Sequence, residues 1–178
     1  MTNRNLLIAL RLILLLAIDI FIISRFDLGI YFVPHIYFLS ILTLPVRATK
    51  STILLFAFFA GIIMDVFMNT GGLHAASSVL MAFVRIFTLR VYVTPEDEDS
   101  NISPGLYTFG PRRYLWYSSI LILIHQVAFF SLEIFKTDSI FLILKKTLAS
   151  TILNILLLVF IQIIFAKPPK KKNERRKR

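Results

Sequence analysis

Cysteine is absent from this 178-residue chain, so neither disulfides nor thiolate metal sites can form. Charge is scarce as well. Asp, Glu, Lys and Arg make up 17% of the residues, against about 25% in an ordinary soluble domain. Acidic residues are the rarer sign, with 10 Asp and Glu against 20 Lys and Arg. The three histidines follow no HExxH or comparable spacing, which speaks against a catalytic metal centre. Walker loops, Gly-x-Ser-x-Gly elbows and dinucleotide fingerprints are missing. The run Glu96-Asp97-Glu98-Asp99 lacks the alternating ligands and central glycine of a calcium loop and reads as a solvated face. These absences lead to the expectation of a protein that is not an enzyme and uses no cofactor.

Hydrocarbon fills the chain instead. Apolar residues account for 57%, including 17 Phe, and mean hydropathy is +0.76. Six stretches, near residues 6–23, 30–46, 51–68, 73–93, 114–135 and 140–165, are dominated by Leu, Ile, Val, Phe and Ala. A bilayer core about 30 Å thick takes roughly 20 apolar residues of helix to cross. Backbone N–H and C=O groups find no water in lipid, so such a segment pairs them internally as a helix. The expected fold is all-α: a polytopic membrane protein with six transmembrane helices and short loops over residues 1–166, then a polybasic cytoplasmic tail at 167–178. Asp19 interrupts the first stretch and no small-x-small cleavage site follows, which marks a retained span rather than a signal peptide. The second stretch carries Pro34 and His35 and is closed by Pro45; proline near a helix start is tolerated, because that N–H has no intrahelical partner. Ser51 or Thr52 is the expected N-cap of the third span.

Asn69-Thr70-Gly71-Gly72 reads as a tight turn between antiparallel neighbours, and residues 94–113, rich in Pro and Gly, as the one sizeable loop. Basic residues in short loops set orientation. With both termini inside, Arg4, Arg47, Lys50, Arg90, Arg112, Arg113 and the tail fall on the cytoplasmic side of an inner membrane, and Arg25, Lys136, Lys145 and Lys146 outside. The tail holds eight of the 20 basic residues, among them Lys170, Lys171, Lys172, Arg175 and Arg176. Such a run after a hydrophobic span suits anionic membrane lipids, at about 1 kcal/mol per basic residue, better than nucleic acid.

A charge near the bilayer centre costs at least about 2.5–3.5 kcal/mol on insertion scales, so each intramembrane polar group needs a reason. Ala57, Gly61 and Asp65 share a face of the third span, since residues four apart are helical neighbours, and small residues there admit a close-packed helix. Asp65 then either joins a partner or caps the Gly-rich turn, or else stands in water just above the lipid. His74 follows that turn closely enough for an Asp65–His74 contact. His74, Ser78, Met81 and Arg85 lie near one face of the fourth span, with Arg85 roughly 16 Å below His74 at 1.5 Å per residue; from that depth it can snorkel to the cytoplasmic side. Asp19, His125, Gln126, Glu133, Asn154 and Gln162 complete the intramembrane polar set. Groups like these hold helices together by interhelical hydrogen bonds, or line a ligand cavity.

Gly61-Ile62-Ile63-Met64-Asp65, the short polar turn, then Gly72-Leu73-His74-Ala75 resemble the MreD family of rod shape-determining proteins. The likeness extends over nearly the whole chain in length, six spans, short loops and basic C-terminus. The continuation Ala76-Ser77-Ser78 and the long fourth-to-fifth loop are similar to the Bacteroidota-type version. Gly61, Asp65, Gly72 and Leu73 are the positions that match the family pattern. The resemblance implies a non-enzymatic inner-membrane subunit of the rod (elongation) complex that regulates cell shape. Its implied partners are an MreC-like protein, the RodA-type synthase with its class B transpeptidase, and, indirectly, MreB. It also implies a fold related to the substrate-binding subunits of energy-coupling-factor transporters. The competing expectation is a vitamin-type small-molecule binder built on the same layout, using Asp65, His74, Arg85 and His125.

Overall fold

In the computed structural model, which describes residues 2–26, 29, 31–99, 101–133 and 140–165, the chain is all-α, with no strand among those residues. Its helices are α1 (Thr2–Phe21), α2 (Phe38–Leu42), α3 (Lys50–Met68), α4 (Leu73–Tyr92), α5 (Pro95–Asp99), α6 (Pro111–Glu133) and α7 (Ile140–Phe165), with a 3-10 turn at Ile23–Arg25 after α1. Five of them, α1, α3, α4, α6 and α7, are long and apolar enough to cross a membrane. Their outward side chains, such as Leu14, Phe59, Val66, Val91, Leu148 and Phe160, are apolar and exposed. On a water-soluble protein so much exposed apolar surface would drive association; against lipid it is the ordinary condition.

Among the described residues, the expected six spanning helices are therefore five. Residues 31–46 do not form the expected second one: α2 is the one helix among them, and residues 33–36 have no regular structure. Proline explains the break. Pro34 has no N–H to donate and disfavours helical geometry at Val33, while Pro45 does the same to Leu44. Too few residues are left between them for a full span.

The segment nevertheless crosses the bundle. Phe21 at the end of α1 meets Phe67 at the end of α3, with ring centroids 6.2 Å apart, so the two helices run parallel and the chain between them must come back. It returns through the interior. Ile36 contacts Asp19 near the end of α1, and at the other end the Val46 N–H donates to the Ile102 carbonyl at 2.9 Å. Tyr37, Phe38, Leu39, Ile41, Leu42 and Leu44 are all buried. Residues 32–36, outside any helix, advance further each than the roughly 1.5 Å of a helical residue, so the segment reaches further than its length in helix would. The start of α1 and the end of α7 lie at one end of the bundle, where Arg11 and Gln162 line a common cavity. The α3–α4 turn lies at the other.

The 94–113 connection is more ordered than a plain loop. Its acidic run forms α5, started by a reciprocal capping box in which Thr94 N–H donates to Asp97 Oδ2 at 3.1 Å and Asp97 N–H to Thr94 Oγ1 at 3.3 Å. Arg113 reaches the Asp97 carboxylate at 3.2 Å, and Arg47 reaches Asp99 at 3.1 Å. At α3 the cap is Thr49, whose side chain accepts the Thr52 N–H, rather than Ser51 or Thr52.

Candidate functional site

The α3–α4 corner assembles the residues singled out in the sequence. α3 ends on Asn69 in the left-handed conformation, and Gly72, at φ +99°, starts α4. Gly72 has no side chain with which to cap the orphan N–H groups of that helix. Asp65 supplies the cap from the neighbouring helix: its Oδ1 accepts the His74 N–H and its Oδ2 the Ala75 N–H, both at 2.9 Å, and Thr70 donates its hydroxyl to Oδ1. The anion thus lies against a helix N-terminus, where the peptide dipoles favour it. The expected Asp65–His74 contact exists, through the backbone of His74 and not its imidazole. Asp65 is buried, which removes the water-exposed reading.

Gly61 makes this approach possible. A Cβ built on it would fall 2.6 Å from the Ala75 nitrogen and 2.7 Å from the His74 carbonyl oxygen. Ala57 and Ala60 are buried on the same side of α3. The small-residue face is thus occupied by α4 of the same chain. Leu73 is half-buried at the start of α4. Just outside this contact, a groove of about 720 Å³ opens between α3 and α4, with Ile62, Val66, Gly72, Ala76 and Val79 in its wall.

The broken second span holds most of the other intramembrane polar groups. Non-helical backbone at membrane depth survives only where protein satisfies its N–H and C=O groups. Asp19 Oδ2 accepts the N–H groups of Ile36 and Tyr37 at 2.8 and 2.9 Å, and Oδ1 lies 3.3 Å from His35 Nδ1. From α7, Asn154 accepts the His35 N–H at 2.6 Å and donates to the Val33 carbonyl at 3.0 Å. Ser150 accepts the Val33 N–H and donates to the Tyr31 carbonyl, both at 3.0 Å. At the far end, Tyr117 donates to the Leu42 carbonyl at 2.8 Å, and Arg85 donates to the Leu44 carbonyl and, at 2.9 Å, to the Tyr117 hydroxyl. Arg85 is fully buried and turned inward, so it does not snorkel.

All three histidines converge beside this clamp. The Tyr37 hydroxyl lies 2.8 Å from His125 Nε2, 3.0 Å from Ser78 Oγ and 3.3 Å from His74 Nδ1. His35 meets His74 edge to face at 4.8 Å, and Phe129 covers His74 at 4.6 Å. A hydroxyl donates once and accepts twice, so Tyr37 can satisfy three partners at once and tie α4 and α6 to the broken span. Among the described residues, no three His, Asp or Glu converge as metal ligands. Tyr37 and Ser150 went unnoticed in the sequence; the pairing of Pro34 with His35 in an otherwise apolar stretch was the available signal.

Of the other candidates, Glu133 ends α6 and pairs with Lys146 of α7 at 3.3 Å, and Gln126 is buried in α6. The tail positions Lys170, Lys171, Lys172, Arg175 and Arg176, and the Lys136-Thr137-Asp138 turn, lie outside the described residues. Comparison with protein-family models, with curated proteins and with solved structures finds no match.

Proposed function

We propose that this chain is an inner-membrane scaffold of the MreD type, a non-enzymatic subunit that regulates cell shape by binding an MreC-like protein and the peptidoglycan-synthase pair of the rod complex, with both termini cytoplasmic. One observation carries the reading. The residues that resemble the family, Gly61, Asp65, Gly72 and Leu73, act as one unit in which the carboxylate of one helix caps the next and the glycine lets them touch. That unit presents an outward groove with Ile62, Val66 and Ala76 in its wall, a shape suited to a single partner helix. Asp19, Asp65, Arg85, Ser150 and Asn154 all bond the chain's own backbone, as expected of a rigid platform.

The vitamin-type binder uses the same residues less well. Arg85 and His125 are fully buried against the chain's own groups. Photo-crosslinking from Ile62 and Val66 in living cells tests the scaffold: capture of an MreC-like chain supports it, and capture of lipid alone counts against it. Depletion is expected to turn rods into spheres, and unchanged shape would reject the assignment.

A further inference from the structure

We propose that the cavity between α1, α2, α7 and residues 103–108 binds a phosphate-ester oxyanion, with Arg11 as its cationic anchor. The space, about 350 Å³, is lined by Arg11, Thr43, Ser103, Thr108 and Gln162 among others. A second space of about 210 Å³ adjoins it, sharing Arg11, Thr43 and Ser103 and reaching Leu7 and Ile8 on α1. Together they are large enough for a small anionic headgroup, and the wall carries a guanidinium, a carboxamide and five hydroxyls, of which Ser40, Thr43 and Thr108 donate to backbone carbonyls while Ser103 and Tyr107 have no such bond among the described residues. No Asp or Glu lines either space.

Arg11 is the unusual element. It sits within the apolar run of α1, yet makes no hydrogen bond or ion pair among the described residues. Charged residues within membrane spans face a cavity or a partner, because an unpaired charge in hydrocarbon is expensive. Arg85 shows how this chain holds an arginine internally, its Nε on a phenol and its Nη2 on a backbone carbonyl. Arg11 has no such arrangement among the described residues; it is exposed and lines both cavities instead. A guanidinium fork matches the paired oxygens of a phosphate better than a point charge does. The depth also fits: Gln162 lies close to the C-terminal end of α7, at the level of the 103–108 loop, where headgroups meet protein. Basic pockets between spanning helices hold lipid phosphates in this way.

The same chemistry has two sources, a phospholipid headgroup entering past Leu7 and Ile8, or a free phosphate ester from water. The full chain in neutral detergent is titrated with phosphatidylglycerol, with inorganic phosphate, and with diacylglycerol as the headgroup-free probe. Native mass spectrometry reads retained molecules, and thermal unfolding reads protection. Phosphatidylglycerol is expected to bind, and Arg11→Gln to weaken it about tenfold, the worth of one charge-assisted contact. Arg47→Gln, which lies outside the cavity, is expected to leave binding unchanged and so removes the contribution of general surface charge. Protection by inorganic phosphate that is lost in Arg11→Gln supports the site and identifies the free ester as the source. Equal phosphatidylglycerol retention by the parent chain and Arg11→Gln overturns the proposal, as does diacylglycerol bound equally well. If Arg11→Gln fails to fold, Ser103→Ala with Tyr107→Phe carries the same comparison from the cavity wall.

Discussion

Asp19 and Arg85 sit at opposite ends of α2. The carboxylate meets the N–H groups of Ile36 and Tyr37 just before it, and the guanidinium meets the carbonyl of Leu44 just after it. An anion at the N-terminal end and a cation at the C-terminal end both complement the peptide dipoles of the short helix. Two charges with no direct contact are thus linked by the segment they hold.

Asp19→Ala is expected to destabilise the protein by about 3 kcal/mol, because two buried backbone N–H groups lose a charged acceptor. Asn154→Leu removes the neighbouring clamp at Val33 and His35. Both act on one segment, so the double variant should lose less than the sum of the singles. Thermal unfolding in detergent measures this; strict additivity would contradict a shared clamp.

Gly61 and Gly71 separate two reasons for glycine. Gly61→Ala forces a methyl group into the α4 backbone and should cost about 1–3 kcal/mol, as overpacking does. Gly71 has φ +62° with open space around it, so Gly71→Ala should cost about 1–2 kcal/mol through backbone strain alone. Asparagine tolerates that conformation, so Gly71→Asn should recover much of the loss while Gly61→Asn recovers none. Unfolding midpoints of the four variants decide it.

Asp65→Ala should cost about 2–3 kcal/mol through loss of two charge-assisted bonds and the cap of α4. Asp65→Asn keeps one acceptor and should fall between Asp65→Ala and the parent. Faster hydrogen exchange at His74 and Ala75 locates the loss; an unchanged rate there would remove the capping role.

Gln126 is buried with neither amide atom hydrogen-bonded among the described residues. Replacing it by an apolar residue of similar size removes an unsatisfied group without opening a cavity. Gln126→Met should therefore stabilise by about 1 kcal/mol, seen as a raised unfolding midpoint. A lowered midpoint would mean that the amide has a role of its own.

The α5 region should respond to acid. Burial alone would push the Asp97 carboxyl up, but the Thr94 N–H and hydroxyl together with Arg113 outweigh it and hold it below its ordinary value. A depressed folded value makes the contribution to stability full above the ordinary carboxylate range and lost as pH falls through the folded value. NMR titration of Asp97 should show a midpoint below that of an exposed aspartate, and Thr94→Ala should raise it. An unshifted midpoint in both would dismiss the capping box.

Much of the fold was legible because burial in lipid leaves a coarse signal. Spans one, three, four, five and six stand within a few residues of α1, α3, α4, α6 and α7, since long apolar runs have no other way to satisfy their backbone. Residues 30–46 misled for the same reason: hydropathy records what surrounds a segment, and a buried, broken path inside a bundle is as apolar as a helix in lipid. Asp65 and Gly61 were readable because their partners lie within about fifteen residues, across a tight turn. Arg85 was not, because its partners are a carbonyl and a phenol supplied by α6 and the broken span, and neither carries a charge that a search for carboxylates would find.

The order in which the chain is made gives the broken span a further property. Val33 and His35 take their partners from residues 117 and 119 positions later, on α7, which is synthesised after the other long helices described. Until α7 is inserted, that stretch has backbone groups with nothing to bond, so it must wait in the translocon, at the interface or under a chaperone. Truncating the chain before Ser150 should therefore yield a product cleared by membrane proteases, even though four of its five long helices are already complete.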